Sequence, residues 1–454
     1  MFDSVLIANR GEVAVRVQRA CRALGLATVA VHSEADRDAR HVREADRAIC
    51  IGPAPASRSY LDQAAILFAA EVTGAEAIHP GWGFLSENAG FVERVEQAGL
   101  VFIGPGADCV RRMGDKVEAK RAMRALGVPV VPGGDDVLPE GDTAAAQALA
   151  EATGYPVIVK AAGGGGGRGM RVVESAADLP AALALTREEA RRAFGNPALY
   201  LEKYLAHPRH VEIQVLADAH GNALWLGARD CSLQRRHQKV IEEAPPPGIA
   251  PERLAALGER CAAACRGLGY RGVGTFEFLY ESREFFFIEM NTRLQVEHPV
   301  TEMTGGIDIV EQQLRAARGE RLALTQADVA CRGHAFELRV NAEHPETFAP
   351  SPGVITEWRM PEGDGIRVDT HAHAGYRVPS HYDSLVAKLI VHGATRDLAL
   401  QRARAALDEM RIGGIHTNVP LHRRLLDDAG VVTGGVDIHH LERLLRQGSG
   451  KARA

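Results

Sequence analysis

The first ~110 residues alternate short apolar runs with stretches of helical spacing, and this alternation constrains the fold most. Val5–Ala8 is apolar, Gly11–Leu24 has helical spacing, and Ala27–His32 is apolar again. Leu61–Val72 reads as an amphipathic helix, Ala75–His79 as a strand, Phe91–Gln97 as a helix and Val101–Gly104 as a strand. This order predicts a parallel α/β sheet with helices on both faces.

That N-terminal unit, 1–112, is Rossmann-like in layout. Its first turn reads Ala8-Asn-Arg-Gly-Glu12, which lacks the glycine fingerprint of a dinucleotide site. The texture changes at Met113. A helix is predicted over Asp115–Leu126, a Pro/Gly-rich loop over Pro129–Asp142, a helix over Thr143–Thr153 and a strand over Pro156–Lys160. Val211–Leu216 and Ala223–Leu226 read as strands, and Pro251–Leu268 as an Ala-rich helix. Beyond Arg332 an α+β texture follows, with strands Ala335–Val340, Ile355–Trp358 and Leu385–Val391 and a helix Asp397–Met410. Residues 447–454 are small and polar, so fraying is predicted there.

A chain of 454 residues suggests about three domains. With 46% hydrophobic residues it can bury sizeable cores without staples. The net charge of −5 leaves no nucleic-acid footprint. The apolar runs are too short for a transmembrane helix, and the start has no basic n-region, so no membrane span or signal peptide is expected. The seven cysteines form no Cys-x-x-Cys and read as small core hydrophobes in a reducing cytosol.

Three segments carry chemistry. In Tyr155-Pro-Val-Ile-Val-Lys160-Ala-Ala a strand delivers Lys160 to five glycines, Gly163–Gly167, followed by Arg168-Gly-Met170. Glycines let backbone N–H groups approach an anion, and Lys160 adds a cation, so phosphate binding is expected; a flexible linker is the alternative. It is not a Walker loop, because Met170-Arg171 follows Gly169.

The second segment pairs Gly274–Tyr280 with a strand entering Glu289-Met-Asn291-Thr-Arg293-Leu-Gln295-Val-Glu297. Side chains two apart share a face, so Glu289, Asn291, Arg293, Gln295 and Glu297 form one polar row while the chain stays extended. Glu277, Glu289 and Asn291 offer oxygen donors suited to Mg²⁺ or Mn²⁺. Arg293 suits a small planar oxyanion, and Glu297 is placed to take a proton. The alternative is a solvated amphipathic strand. The all-apolar Phe285–Ile288 run ahead of the row favours a buried strand instead. The third segment, Gln234-Arg-Arg-His237-Gln-Lys239, reads equally well as a solvated run or as a source of cations for an anion. Lys116, His210 and Glu202-Lys203 say nothing in isolation.

Several strings together resemble the ATP-grasp biotin carboxylase family. They are His79-Pro-Gly-Trp-Gly-Phe-Leu-Ser-Glu-Asn88, Met113-Gly-Asp-Lys116, the Lys160 glycine loop, Glu202-Lys-Tyr-Leu205 and His210-Val-Glu-Ile-Gln214. Arg229–Glu243, Phe276-Glu277-Phe278, Phe287–Thr304, Arg339-Val-Asn-Ala-Glu343, Pro350-Ser-Pro-Gly353 and His381-Tyr-Asp-Ser384 continue the series, in the family's order. The resemblance implies an N-terminal domain, an ATP-grasp domain (113–332) with a mobile Gly-rich-loop lid at about 131–204, and a C-terminal biotin carboxylase domain (333–446).

Residue by residue, the resemblance implies ATP binding by Lys116, Lys160, Gly166, Gly167, Glu202, Lys203, Tyr204, Leu205, His210, Gln234, His237, Glu277 and Glu289. Glu277, Glu289 and Asn291 hold Mg²⁺ or Mn²⁺. Lys239, Arg293, Gln295 and the backbone of Val296 hold bicarbonate, Glu297 is the base, and Arg339 faces biotin. The implied activity is carboxylation of biotin through carboxyphosphate, in a cytoplasmic homodimer. With no Met-Lys-Met string, biotin is expected on a separate carrier protein, with separate carboxyltransferase subunits, as in multisubunit acetyl-CoA carboxylase. The same half-reaction could serve another acyl-CoA, pyruvate or urea; a nucleotide-binding regulatory subunit is the non-catalytic alternative. Four positions depart from the family: Trp82 replaces a usual Tyr, Ala162 a frequent Ser, Ala23 a common acid, and Asp364 an aromatic at the self-association surface.

Overall fold

The computed structural model describes residues 1–134, 136–140, 142–163 and 169–451. Its N-terminal sheet has five parallel strands in the order Arg47–Gly52, Ala27–Ser33, Ser4–Ile7, Ala77–His79 and Val101–Phe102. Alternation along the central strand divides two cores. Val5 and Ile7 enter one cluster with Val13, Val17, Leu216 and Leu294, while Leu6 enters the other with Ile66, Phe91 and Val95. One face of this sheet therefore packs on the next domain. The strand Arg47–Gly52 escapes the sequence reading because it is a half-exposed edge with no continuous apolar run.

Side-chain caps set the helix starts. Asp62 accepts from the N–H groups of Ala64 and Ala65, so the helix predicted from Leu61 begins at Gln63 and runs to Thr73. Asp115 caps Lys116–Ala125 in the same way. An unanticipated helix, Ala107–Gly114, precedes it and contains the boundary expected at 112/113.

The central element is an eight-stranded antiparallel sheet. Its order is Glu284–Asn291, Gly272–Glu281, Arg209–Ala217, Ala223–Arg235, Gln238–Ala244, His334–Asn341, Leu385–Gly393 and Ile366–Thr370. The sheet runs across the boundary expected at 332/333, so the ATP-grasp and C-terminal segments share one continuous layer. On one face Val211, Ile213, Val215, Phe276 and Phe278 pack on Leu254, Leu257, Cys261 and Cys265 of the helix Pro251–Leu268. The alternate residues of the same strands, Glu212, Gln214 and Glu277, are buried on the opposite face.

The lid is a three-stranded antiparallel sheet of Met170–Val173, Val157–Ala161 and Leu199–Lys203, with helices Thr143–Thr153 and Leu179–Phe194. It has a hydrophobic cluster of its own, which includes Val157, Val159, Leu179, Leu183 and Leu201. A unit with its own core can move as a body.

Other sequence expectations need correction. Ile355–Trp358 is no single strand: the Ile355 N–H bonds Tyr376 and the Thr356 N–H bonds Gly413, so the chain switches partner between Gly353–Val354 and Glu357–Arg359. The last helix, His440–Lys451, runs past residue 447. All seven cysteines are free, but Cys50 and Cys331 are exposed and Cys109 is half-buried, so only Cys21, Cys231, Cys261 and Cys265 are core residues. Among the described residues no helix is long and apolar enough to cross a membrane.

Candidate active site

Strand register brings the acids together. Glu277 lies directly opposite Glu289 on one side and Glu212 on the other, and Glu212 lies opposite Arg229. Four neighbouring strands thus carry Glu289, Glu277, Glu212 and Arg229 in a line across the sheet. Arg229 is fully buried and donates to Glu212 at 3.1 Å, Gln214 at 2.7 Å, Thr301 at 3.0 Å and Thr275 at 3.1 Å.

Lys239 enters from the hairpin joining Ala223–Arg235 to Gln238–Ala244. The hairpin turns at Arg236 and His237, both at positive φ. The Lys239 ammonium donates to Glu297 at 2.7 Å, to Glu277 at 3.3 Å and to Glu212. Burial opposes its charge, but these three carboxylates outweigh burial and raise its pKa well above the usual lysine range. The basic stretch is therefore a hairpin that is solvated at its tip, where Arg236, His237 and Gln238 are exposed, and that carries buried Gln234 and half-buried Lys239 into the site at its two ends. Gln234 sits opposite Lys239, is buried, and donates to the Cys231 carbonyl at 3.5 Å.

The polar row is not straight. The strand ends at Asn291, and Glu297 is the N-cap of the helix His298–Gly305. Because the chain bends, the row folds back on Glu277: Asn291 Nδ2 donates to Glu277 Oε1 at 3.3 Å and Gln295 Nε2 to the same oxygen at 3.0 Å. Arg293 donates to Glu87 at 2.7 Å and to Asn291. Glu87 lies in the His79–Asn88 string but does not stand out there as a site residue.

Glu297 is held from both ends, by Lys239 on Oε1 and by Arg339 on Oε2 at 2.8 Å. Burial works to raise its pKa, but Lys239, Arg339 and Arg229 outweigh it and hold the carboxyl well below its usual range. Arg339 also donates to Glu242 at 2.6 Å. Burial, with Glu297 nearby, pushes Glu242 up to about 7 even beside Arg339. The Arg339 carbonyl is anchored by Asn418 at 2.9 Å and by His422 at 2.8 Å.

On the nucleotide side, Lys160 and Lys120 reach Glu202 at 2.7 and 3.0 Å, and Lys116 reaches Glu289 at 2.6 Å. Lys120 is missing from the sequence reading; its signal is the i,i+4 spacing from Lys116 on one helix face. The Lys203 ammonium donates to the carbonyls of Gly154 and Tyr155 at 2.9 and 3.0 Å, so within the lid this side chain ties the strand Leu199–Lys203 to the loop after the helix Thr143–Thr153. The Tyr204 N–H bonds the Pro156 carbonyl at 3.1 Å, and Leu205 is buried beside it. Gly166 and Gly167 lie outside the described residues.

His210 Nε2 lies 3.1 Å from Glu277 and 3.4 Å from Glu212. Ligand atoms of His210, Glu212 and Glu277 fall within 4.8 Å of one another, with the Glu277–Glu289 pair adjoining them. Four buried carboxylates, Glu212, Glu242, Glu277 and Glu297, face Lys239, Arg229 and Arg339. Mostly oxygen donors fit Mg²⁺ or Mn²⁺. The side-chain oxygen of Asn291 accepts from Arg293.

A lid with its own core above a sheet that presents lysines, acids and arginines defines an ATP-grasp ligase. Family models agree along the chain: "Biotin carboxylase, N-terminal domain" matches residues 1–110, "Carbamoyl-phosphate synthase L chain, ATP binding domain" 115–325, and "Biotin carboxylase C-terminal domain" 337–443. The biotin carboxylase of Allochromatium vinosum is 60% identical over 98% of this chain and 99% of its own length. One of the pyruvate carboxylase subunits of Methanothermobacter thermautotrophicus is 48% identical, over 98% of this chain and 91% of its own. The crystal structure of Campylobacter jejuni biotin carboxylase with a β,γ-ATP ligand superposes with TM-score 0.94 at 46% identity, over 98% of this chain and 99% of that one. The biotin carboxylase domain dimer of Hydrogenobacter thermophilus 2-oxoglutarate carboxylase, with MgADP and bicarbonate, gives 0.92 at 45% identity, over 98% of each chain. The chain belongs to the biotin carboxylase family.

Proposed function

We infer that this ATP-dependent biotin carboxylase acts on biotin borne by a separate carrier protein, as the first half-reaction of a multisubunit acetyl-CoA carboxylase. The observation that carries the chemistry is Glu297, a buried carboxylate kept ionised between Lys239 and Arg339. Such a group can take the bicarbonate proton as an oxyanion of bicarbonate attacks the γ-phosphorus of ATP and ADP leaves. The product, carboxyphosphate, breaks down to CO₂ and phosphate. Phosphate takes the proton from biotin N1′, and the nitrogen attacks CO₂ to give carboxybiotin.

Lys239 and Arg293 are the cations assigned to bicarbonate, with the Gln295 amide and the Val296 N–H. Lys116, Lys160, Glu202, His210, Gln234 and His237 are assigned to ATP, with the Lys203–Leu205 backbone along the adenine. Arg339 would stabilise the enolate-like oxygen of the biotin ring. Glu277 and Glu289, with Asn291, would hold Mg²⁺ or Mn²⁺, which when bound offsets phosphate charge. The separate core of the lid supports a closure that keeps water from carboxyphosphate.

The solved domain dimer of the Hydrogenobacter relative supports a homodimer here. Ala23 is exposed, and Asp364 is exposed with its carboxylate 3.1 Å from Arg402, so both departures lie on the surface. A cytoplasmic location and separate carboxyltransferase subunits complete the reading. The Methanothermobacter relative, whose name places it in a pyruvate carboxylase, supports a second reading, in which pyruvate is the final acceptor. The transferase that co-purifies with this chain separates the two.

The test is ADP release from MgATP, with and without bicarbonate, free biotin and a biotinylated carrier domain. Bicarbonate-dependent release, raised by biotin and more by the carrier, is expected. ATP binding with no release under any combination refutes turnover and leaves a regulatory role.

A further inference from the structure

The sheet face that carries Arg339 holds a second buried cation with no part in the chemistry above. Lys388 lies directly opposite Arg339 across the strands His334–Asn341 and Leu385–Gly393, so the two side chains share a face. Lys388 is 0% exposed. Its ammonium donates to the backbone carbonyl of Val296 at 2.8 Å and lies 3.2 Å from Glu12 Oε2. Glu12 comes from the first turn of the helix Gly11–Ala23 in the N-terminal domain. Its other oxygen accepts the indole N–H of Trp82 at 3.2 Å.

Trp82 is itself placed by a close backbone approach. Asn9 donates to the carbonyls of Pro80 and Trp82 at 2.7 and 2.8 Å. Gly81, at φ +65, sits against Asn9 so closely that a Cβ there would come within 2.7 Å of its amide. A line of contacts therefore runs from Trp82 through Glu12 and Lys388 to Val296.

Among the described residues the other two acids near Lys388 form no ion pair with it. Asp369, its partner across the other strand pair, is bound by Arg367 at 2.6 Å. Glu337 is buried, and neither of its oxygens has a hydrogen-bond partner among the described residues. Burial pushes its carboxyl well above the usual range. Glu12 is the acid that forms an ion pair with the ammonium, and an unpaired ammonium at such a site is strongly disfavoured.

The Val296 carbonyl and the Glu297 N–H belong to one planar peptide. Fixing that oxygen fixes the plane from which the Glu297 side chain departs. Lys239 and Arg339 hold the Glu297 carboxylate, while Lys388 holds its backbone.

We propose that Lys388, seated by Glu12 and Trp82, is a positioning residue that sets the Val296–Glu297 peptide and so aims the Glu297 carboxylate at bicarbonate. The proposal rests on the assignment of Glu297 to bicarbonate made above. Through this clamp the N-terminal domain tunes bicarbonate handling without touching it.

The experiment measures ATP cleavage by the full chain with free biotin, varying bicarbonate and ATP separately. Lys388→Met and Glu12→Gln are expected to raise KM for bicarbonate roughly tenfold or more while KM for ATP changes less than about twofold. Trp82→Phe, which keeps a ring but removes the N–H donor, shifts bicarbonate KM in the same direction by less. A purely structural role lowers the melting temperature without splitting the two constants. Unchanged bicarbonate KM in Lys388→Met, or a parallel rise of both constants, overturns the proposal. If Lys388→Met is recovered unfolded, Glu12→Gln decides by the same ratio. Arg293→Ala is the control: unchanged bicarbonate KM there overturns the bicarbonate assignment itself, whereas a raised value there beside an unchanged Lys388→Met overturns the positioning role alone.

Discussion

Replacing Arg339 by Met should move the acidic limb of the bicarbonate-dependent ATP cleavage profile to higher pH. The role proposed for Glu297 requires an ionised carboxylate, and two cations keep it so: Lys239 at 2.7 Å and Arg339 at 2.8 Å. Arg339→Met removes one charge-assisted hydrogen bond from a fully buried carboxylate. Such a bond contributes about 1.5–3 kcal/mol. At 1.36 kcal/mol per pKa unit, that raises the pKa of Glu297 by roughly one to two units. Loss of a cation raises the pKa, so a larger fraction is protonated at each low pH and activity falls sooner as pH drops. Lys239 remains in place, so the carboxyl stays ionised at neutral pH. The assay is ATP cleavage without biotin, because the first chemical step needs no acceptor. Its readout is kcat/KM for bicarbonate against pH. The limb reports the coupled Glu297–Glu242–Lys239 group and not one residue. A limb that stays within a few tenths of a pH unit of the unsubstituted protein refutes the reasoning. It would mean that Lys239 alone sets the Glu297 pKa.

Two further outcomes follow from buried charge. Arg229→Met leaves Glu212 with Lys239 alone and removes the guanidinium donor from Gln214, Thr275 and Thr301, so urea unfolding followed by circular dichroism should show a loss of roughly 3 kcal/mol or more. A loss below about 1 kcal/mol refutes it. Burial pushes His41, His79 and His422 down to about 4. In the unfolded chain these rings protonate near pH ~6.5. As pH falls from about 6.5 to about 4 the unfolded state therefore binds more protons, and stability is lost across that window. Urea midpoints that stay flat between those two values count against it.

Much of the fold is legible along the chain because its signals are local. The alternation of apolar and helical runs before residue 110 marks the parallel sheet, and Val5, Leu6 and Ile7 divide between two cores as period two requires. The edge strand Arg47–Gly52 stays hidden because half-exposed strands carry no apolar run. The lid helix Leu179–Phe194 also escapes the reading, although Pro180 at its start is a helix-opening signal. Several strings carry the resemblance and most of the site, including Lys239, Arg293, Glu297 and Arg339. Glu212 and Arg229 stand inside quoted strings and are still missed, as is Glu242. A buried acid and an exposed one look alike in sequence, and only the pairing of distant strands shows which it is.

The sequence by itself determined the family, the chemical groups and the strand faces on which they stand. Those are properties of residue type and of spacing within a few positions. Tertiary structure alone decided how the groups meet. The bend after Asn291 turned an expected straight row into a convergence on Glu277. Antiparallel register set Glu212, from a strand distant in the chain, beside Glu277 and Glu289 of one hairpin. Glu12 and Lys388, which no local pattern links, meet beneath Val296 because two domains close on one sheet face. Burial then set the charge states, since the strength of each ion pair depends on the water excluded around it.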